Sequence, residues 1–162
     1  CALPIWFIMT FDLTPDSEGF SKAVATMTLE SGGQIKFRFY SGDAPNTVRR
    51  ITQLISEGFY NGIKFHRVVP GFVVQAGDPT GTGTSGSGVK LKAEFNARKH
   101  TPGILSMART ADPNSADSQF FIMTGTHPHL DRQYTVFGAA ISGYEHVEKI
   151  KQGDKIKSWT IE

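Results

Sequence analysis

Two alternating runs that meet at a glycine pair constrain this chain more than any other stretch. From Lys22 to Glu30, Ala23, Ala25, Met27 and Leu29 alternate with Val24, Thr26 and Thr28. From Gln34 to Tyr40, Ile35, Phe37 and Phe39 alternate with Lys36 and Arg38. A period of two puts every second side chain on one face of a strand. Ser31-Gly32-Gly33 supplies the turn between them, so the pair reads as an antiparallel hairpin with one apolar face. A lone hairpin is marginal in water, so more strands must cover it.

The rest of the chain offers them in short pieces. Two strands joined at Pro70-Gly71 fit the stretch from Phe65 to Asp78. Alternation there groups Phe65, Arg67 and Val69 on one face, and Val73, Gln75 and Gly77 on one face of the second strand. Val89 to Phe95 alternates, Gly103 to Ala108 is a short buried run, and Gln119 to Thr124 carries Phe120 and Phe121 on opposite faces. Thr135 to Ile141 and Lys155 to Ile161 complete the set, with loop between, including His127 to Arg132. Helical spacing occurs twice. Val48, Ile51, Leu54 and Ile55 form a core stripe opened by Pro45, with Asp43 or Asn46 as cap, and stopped by Gly58. Tyr144 to Lys151 predicts a second, short helix ending at Gly153. Many short strands with two helices predict a mostly β fold, a closed barrel with helical caps.

Length agrees with one such domain, since 162 residues, 39% of them hydrophobic, can bury a substantial core. Residues 1–21 mix an apolar patch with turn chemistry and are assigned to an N-terminal arm, leaving 22–162 as the domain. A net charge of +2 without any basic run argues against a nucleic-acid partner. The longest apolar run, Leu3 to Met9, is too short to span a bilayer. Cys1 is the one cysteine, which excludes an intramolecular disulfide. Its position fits a trimmed terminus, a cleaved signal peptide or a lipid-anchored cysteine, so the compartment stays open between cytoplasmic and exported.

Several chemistries are poorly served. Of the histidines, only His127 and His129 stand close together, with no carboxylate-histidine helix motif, so no metal site is expected. Ser85 lacks the elbow spacing of a hydrolase nucleophile, and no carboxylate pair stands out. Gly81-Thr82-Gly83-Thr84-Ser85-Gly86 matches a dinucleotide-loop spacing, but a strand-like run follows where that motif needs a helix, so a surface loop is expected. What remains is an arginine among hydrophobes, Arg67, a set of aromatics, and the amides Gln75 and Gln119. A charge in that setting must be paired or used; backbone carbonyls at a core edge are the plain alternative for Arg67. This equipment suits gripping an apolar ring beside a peptide group.

The blocks from Phe65 to Asp78, Gly81-Thr82-Gly83, Ser106-Met107-Ala108, Ser118 to Ile122, Leu130-Asp131 and Val136-Phe137-Gly138 resemble the cyclophilins in order and spacing, over about residues 22–162. The glycine-rich loop and Ala108-Arg109-Thr110 are most similar to bacterial members. The resemblance implies a closed eight-stranded antiparallel barrel capped by two helices. Its active face would lie outside a filled interior. It implies a monomeric, cofactor-free peptidyl-prolyl cis-trans isomerase that acts on proline-containing peptides and client proteins and assists folding. It assigns catalysis to Arg67, Gln75 and Phe121, and substrate binding to Phe72, Val73, Ala108, Arg109, Gln119, His129, Leu130 and Tyr134. His129 stands where many members carry tryptophan, so weakened cyclosporin binding is expected. Two rivals are a proline-peptide recruitment module, kept open by His129 and Arg109 although Arg67, Gln75 and Phe121 favour the enzyme, and nucleotide binding at the glycine-rich loop.

Overall fold

The hairpin forms as its alternation requires. Strand β1 (Ala25–Leu29) pairs antiparallel with β2 (Gln34–Phe39), Met27 opposite Ile35. Gly32 turns the corner at φ 103°, a left-handed conformation that an L side chain rarely adopts. The computed structural model describes residues 11–162 and adds six strands to that pair: β3 (Arg67–Val69), β4 (Val73–Ala76), β5 (Ile104–Met107), β6 (Phe120–Met123), β7 (Val136–Ser142) and β8 (Ile156–Ile161). All pairings are antiparallel, and the sheet order is β3-β4-β6-β5-β7-β2-β1-β8. Helix α1 (Pro45–Ser56), helix α2 (Tyr144–Val147) and a 3-10 turn, Pro128–Leu130, complete the fold. No helix among the described residues is long and apolar enough to cross a membrane.

The expected closure of the barrel is not made. The sheet is an open half-barrel whose end strands, β3 and β8, share no ladder. The chain just before them meets in one isolated bridge, Lys64 opposite Lys155, with backbone bonds from Gly62 to Ile156 (2.7 Å) and from Phe65 to Asp154 (2.8 Å). Two like charges directly opposed disfavour pairing, and a three-residue β3 is too short to extend it.

The sheet has two apolar faces of unequal size. The inner face carries Phe37, Val74, Leu105, Phe120, Ile122 and Trp159, onto which α1 lays Val48, Ile51, Leu54 and Ile55. The outer face carries a smaller cluster with Val73, Phe121, Met123, Leu130 and Val136. Burial on both faces explains why Phe120-Phe121-Ile122-Met123 is an unbroken apolar run.

Three further local expectations are corrected. Val89 to Phe95 alternates but is no strand; it makes one bridge, Leu91 with Ala116, while Asn114 and Thr135 side chains satisfy the N–H groups of Ala93 and Glu94. The second helix is a single turn, Tyr144–Val147, well short of Lys151. Neither Asp43 nor Asn46 caps α1. Ala44 holds that position, and the Glu94 carboxylate accepts from Thr47 N (2.7 Å) across the fold, favourably placed at the positive end of the helix. The described part of the N-terminal segment lies against β2: Ser21 N donates to Phe39 O (2.6 Å), Asp16 pairs with Arg38 (2.7 Å), and Phe20 stacks on Tyr40. Cys1, with its suggested anchoring role, lies outside the described residues.

Candidate active site

Strand register builds the site. Arg67 on β3 stands opposite Gln75 on β4, Gln75 opposite Phe121 on β6, and Phe121 opposite Ser106 on β5. Partners in such a row share a face. The neighbouring row, Val68-Val74-Ile122-Leu105, belongs to the inner core, so Arg67, Gln75 and Phe121 emerge on the outer face. The expected grouping of Phe65 with Arg67 fails, because β3 begins only at Arg67: Phe65 is fully buried in the inner core and Arg67 is exposed. Nor is Arg67 spent on backbone carbonyls. Its Nη1 donates to Gln75 Oε1 at 3.4 Å, and its guanidinium lies 5.8 Å from the centre of the Phe72 ring.

Beside this row is a pocket of about 170 Å³ lined by Arg67, Phe72, Val73, Gln75, Ala108, Arg109, Phe121, Leu130 and Tyr134. Phe121, Val73 and Leu130 are buried and form its apolar base, and the Tyr134 ring meets Phe121 edge-on at 5.7 Å. Arg109 is engaged as a brace: Nε donates to Gln133 O (2.9 Å), Nη1 to Thr110 O (2.9 Å), and the guanidinium lies over Tyr134 at 4.7 Å. The pocket opens into a groove of about 480 Å³ along residues 83–86 and 108–110, sharing Gln75, Ala108 and Arg109.

Two of the expected site residues stand apart from the pocket. Gln119 lines the adjoining groove, accepting from Gln75 Nε2 at 3.1 Å. His129 is exposed on the 3-10 turn, its ring 6.2 Å from Phe72, while His127 packs closer at 4.8 Å and bonds Gly71 O. One buried group was not singled out from the sequence. His100 lies under Phe121, the rings 6.1 Å apart, with Nδ1 on Asp131 (3.0 Å) and Nε2 on Ser106 Oγ (3.0 Å). It ties the Leu130-Asp131 turn to β5 from behind. Burial lowers its pKa, against the opposing pull of Asp131, and so favours the neutral ring.

The glycine-rich loop does hold an anion, and it is the chain's own. Asp78, fully buried, accepts at Oδ2 from Gly83 N (2.6 Å), Thr84 N (2.9 Å) and Ser85 N (3.2 Å), and at Oδ1 from Thr80 N and Oγ1 (2.7 Å each). The amides a nucleotide phosphate would need are already engaged, which removes the support for nucleotide binding there. Burial alone would raise the Asp78 carboxyl, but the bonds from Thr80, Ser85 and Gly83 outweigh it and hold it well below its ordinary value of 3.8. A depressed carboxylate stabilises the fold above its unfolded pKa and loses that contribution as pH falls through the folded one. Asp78→Ala is therefore expected to lose about 2–3 kcal/mol near neutral pH. Its deficit against the wild type should shrink below about pH 4, as urea unfolding at several pH values would show. A deficit independent of pH would contradict this account of the loop.

With this geometry established, comparison with known proteins is direct. The family model for "Cyclophilin type peptidyl-prolyl cis-trans isomerase/CLD" matches residues 24–162. The chain is 46% identical over 136 residues to peptidyl-prolyl cis-trans isomerase B of Bacillus subtilis, covering 83% of this chain and 94% of that protein. It is 42% identical over 155 residues to a Helicobacter pylori peptidyl-prolyl cis-trans isomerase, covering 93% of each. Among solved structures, a Cryptosporidium parvum cyclophilin type isomerase superposes with a TM-score of 0.80 at 30% identity, covering 88% of this chain and 98% of that one. The same enzyme in the presence of the dipeptide Ala-Pro gives 0.79 at 31% identity, covering 86% and 98%. By family match, sequence identity and fold, the chain belongs to the cyclophilin-type peptidyl-prolyl cis-trans isomerases.

Proposed function

We propose that this isomerase accelerates rotation about Xaa-Pro bonds by donating a hydrogen bond from Arg67 to the prolyl nitrogen while the outer pocket grips the proline ring. The observation that carries this is the row Arg67-Gln75-Phe121, which sets a guanidinium at the rim of a pocket with an apolar base, of a size suited to one small ring. The Ala-Pro dipeptide associated with the Cryptosporidium parvum enzyme supports a proline-containing peptide as ligand.

The physical chemistry is simple. A peptide C–N bond resists rotation by roughly 18–20 kcal/mol because nitrogen shares its lone pair with the carbonyl. When the bond is twisted, the sharing ends and the nitrogen becomes a hydrogen-bond acceptor. A donor aimed there stabilises the twisted state more than the planar one, which is the condition for catalysis. Arginine stays charged at any working pH and offers its donors in a rigid fork. Phe121, Leu130 and Val73 hold the ring, Phe72 and Tyr134 flank it, and the chain before the proline runs along Ala108 and Arg109. Gln75, bonded to Gln119, steadies the guanidinium. Acceleration of this kind speeds the folding of clients limited by proline isomerisation. Cyclosporin is a weak ligand on this account, because His129 presents less flat area than tryptophan.

Among the described residues, no group that titrates near neutrality lines the pocket, and burial favours the neutral form of His100 beneath it. Isomerisation of an Ala-Pro peptide is therefore expected to vary less than about twofold between roughly pH 6 and 8. A bell-shaped profile in that range would point to proton transfer and against the Arg67 mechanism.

A further inference from the structure

The two glutamines at the site are bonded in one sense. Arg67 Nη1 donates to Gln75 Oε1 (3.4 Å), Gln75 Nε2 donates to Gln119 Oε1 (3.1 Å), and Gln119 Nε2 donates to the Ser85 carbonyl (2.8 Å). An amide carries its donor on one arm and its acceptor on the other, so a chain of amides has a polarity. Were Gln119 turned over, its Oε1 would face the Ser85 carbonyl and its Nε2 would face Gln75 Nε2. Gln75 would then turn as well and present N–H groups to a guanidinium that has no acceptor. The end of the chain that cannot turn over is Ser85, a backbone carbonyl, and Asp78 fixes that residue through the N–H groups of Gly83, Thr84 and Ser85. On its far side the loop is pinned again, with Ser87 N and Gly88 N on Asp117 and Arg50 Nη2 on Ser87 Oγ (3.1 Å).

We propose that Asp78 and the loop folded around it position Arg67. The buried carboxylate fixes the Ser85 carbonyl, Ser85 sets the polarity of Gln119 and Gln75, and that polarity leaves an acceptor facing the guanidinium. Asp78 touches no substrate; it acts through three intervening residues. This rests on Arg67 as the donor, the reading given above.

The test uses Asp78→Asn, which keeps the shape of the side chain but sets an N–H arm among donors, and Gly83→Ala, which strains a residue at φ +86° and brings a Cβ within 3.3 Å of the His66 ring. The second variant decides the matter if the first fails to fold. Each is made alone and with Arg67→Ala. kcat and KM are measured on an Ala-Pro tetrapeptide, and the Arg67 Nε–H signal is followed by NMR in the variants that retain Arg67. Each loop variant is expected to lower kcat about five- to tenfold with KM within about twofold, and to shift or broaden the Arg67 signal. In the Arg67→Ala background the same change should cost nothing more. A folded loop variant with unchanged kcat overturns the proposal. So does an equal loss in both backgrounds, since the loop would then act independently of Arg67. Full turnover by Arg67→Ala alone would instead remove the donor assignment, a failure visible without any loop variant.

Discussion

Arg67→Ala is expected to lower kcat/KM for Xaa-Pro isomerisation by about a hundredfold or more, the range seen when one hydrogen-bond donor to a transition state is deleted. Stability should hardly change. Arg67 is exposed, makes one long bond to Gln75, and lies on the end strand of the sheet, so its loss leaves no cavity and no buried orphan. The pocket base of Phe121, Val73 and Leu130 is untouched, so peptide affinity should fall far less than turnover. Arg67→Lys is the sharper variant. It keeps the charge but replaces a planar fork with a flexible point charge, so most of the loss should persist. Recovery by lysine would mean that the field of a cation matters and the directed bond does not. Steady-state kinetics on one peptide, with urea midpoints for each variant, decide this.

Trp159→Ala is expected to cost about 3–5 kcal/mol, the largest single-residue stability effect proposed for the chain. The indole is 1% exposed inside the half-barrel, within 5.1 Å of both the Tyr60 and Phe120 rings and 5.7 Å of Phe37. The ladder of β8 on β1 and the packing of α1 limit how far the walls can collapse into the space it leaves. The urea midpoint should fall by about 2 M. Trp159→Phe behaves differently. The indole Nε1 is buried with no hydrogen-bond partner among the described residues, and phenylalanine removes that unmet donor while keeping most of the ring. The two effects oppose each other, so the change should stay within about 1.5 kcal/mol. If phenylalanine costs as much as alanine, the shape of the indole rather than its bulk holds the interior together.

How much of this was legible in the sequence depended on distance along the chain. The β1-β2 hairpin and α1 were, because a period of two with a glycine turn and a period near 3.6 behind a proline are local signals. The opposite facing of Phe120 and Phe121 was too, since one joins the inner core and the other the outer cluster. The open seam was not, because Lys64 and Lys155 meet across ninety residues and nothing local in either predicts the other. Val89 to Phe95 misled by its alternation, as pattern alone does not say whether a partner strand exists. At the site, the resemblance supplied Arg67, Gln75 and Phe121, but that they form one row follows from register, which sequence does not display. His100 gave no signal, because its meaning lies in bonds to Ser106, six residues on but across a turn, and to Asp131, thirty-one residues away, and no pattern in the sequence joins the three. The anion for the glycine-rich loop, by contrast, stood in plain view: Asp78 lies three positions before Gly81, and a nest of amides takes the nearest carboxylate.

The most direct test of the Arg67 mechanism is cis-trans exchange of an Ala-Pro peptide followed by NMR with the wild type, with Arg67→Ala, and without protein. Uncatalysed exchange takes tens to hundreds of seconds, so acceleration is plain against it. The account predicts fast exchange with the wild type. With Arg67→Ala it predicts near-uncatalysed exchange, although peptide signals still shift as the ring enters the pocket. Equal acceleration by both proteins would contradict it, and would mean that the rest of the pocket turns the bond without the arginine.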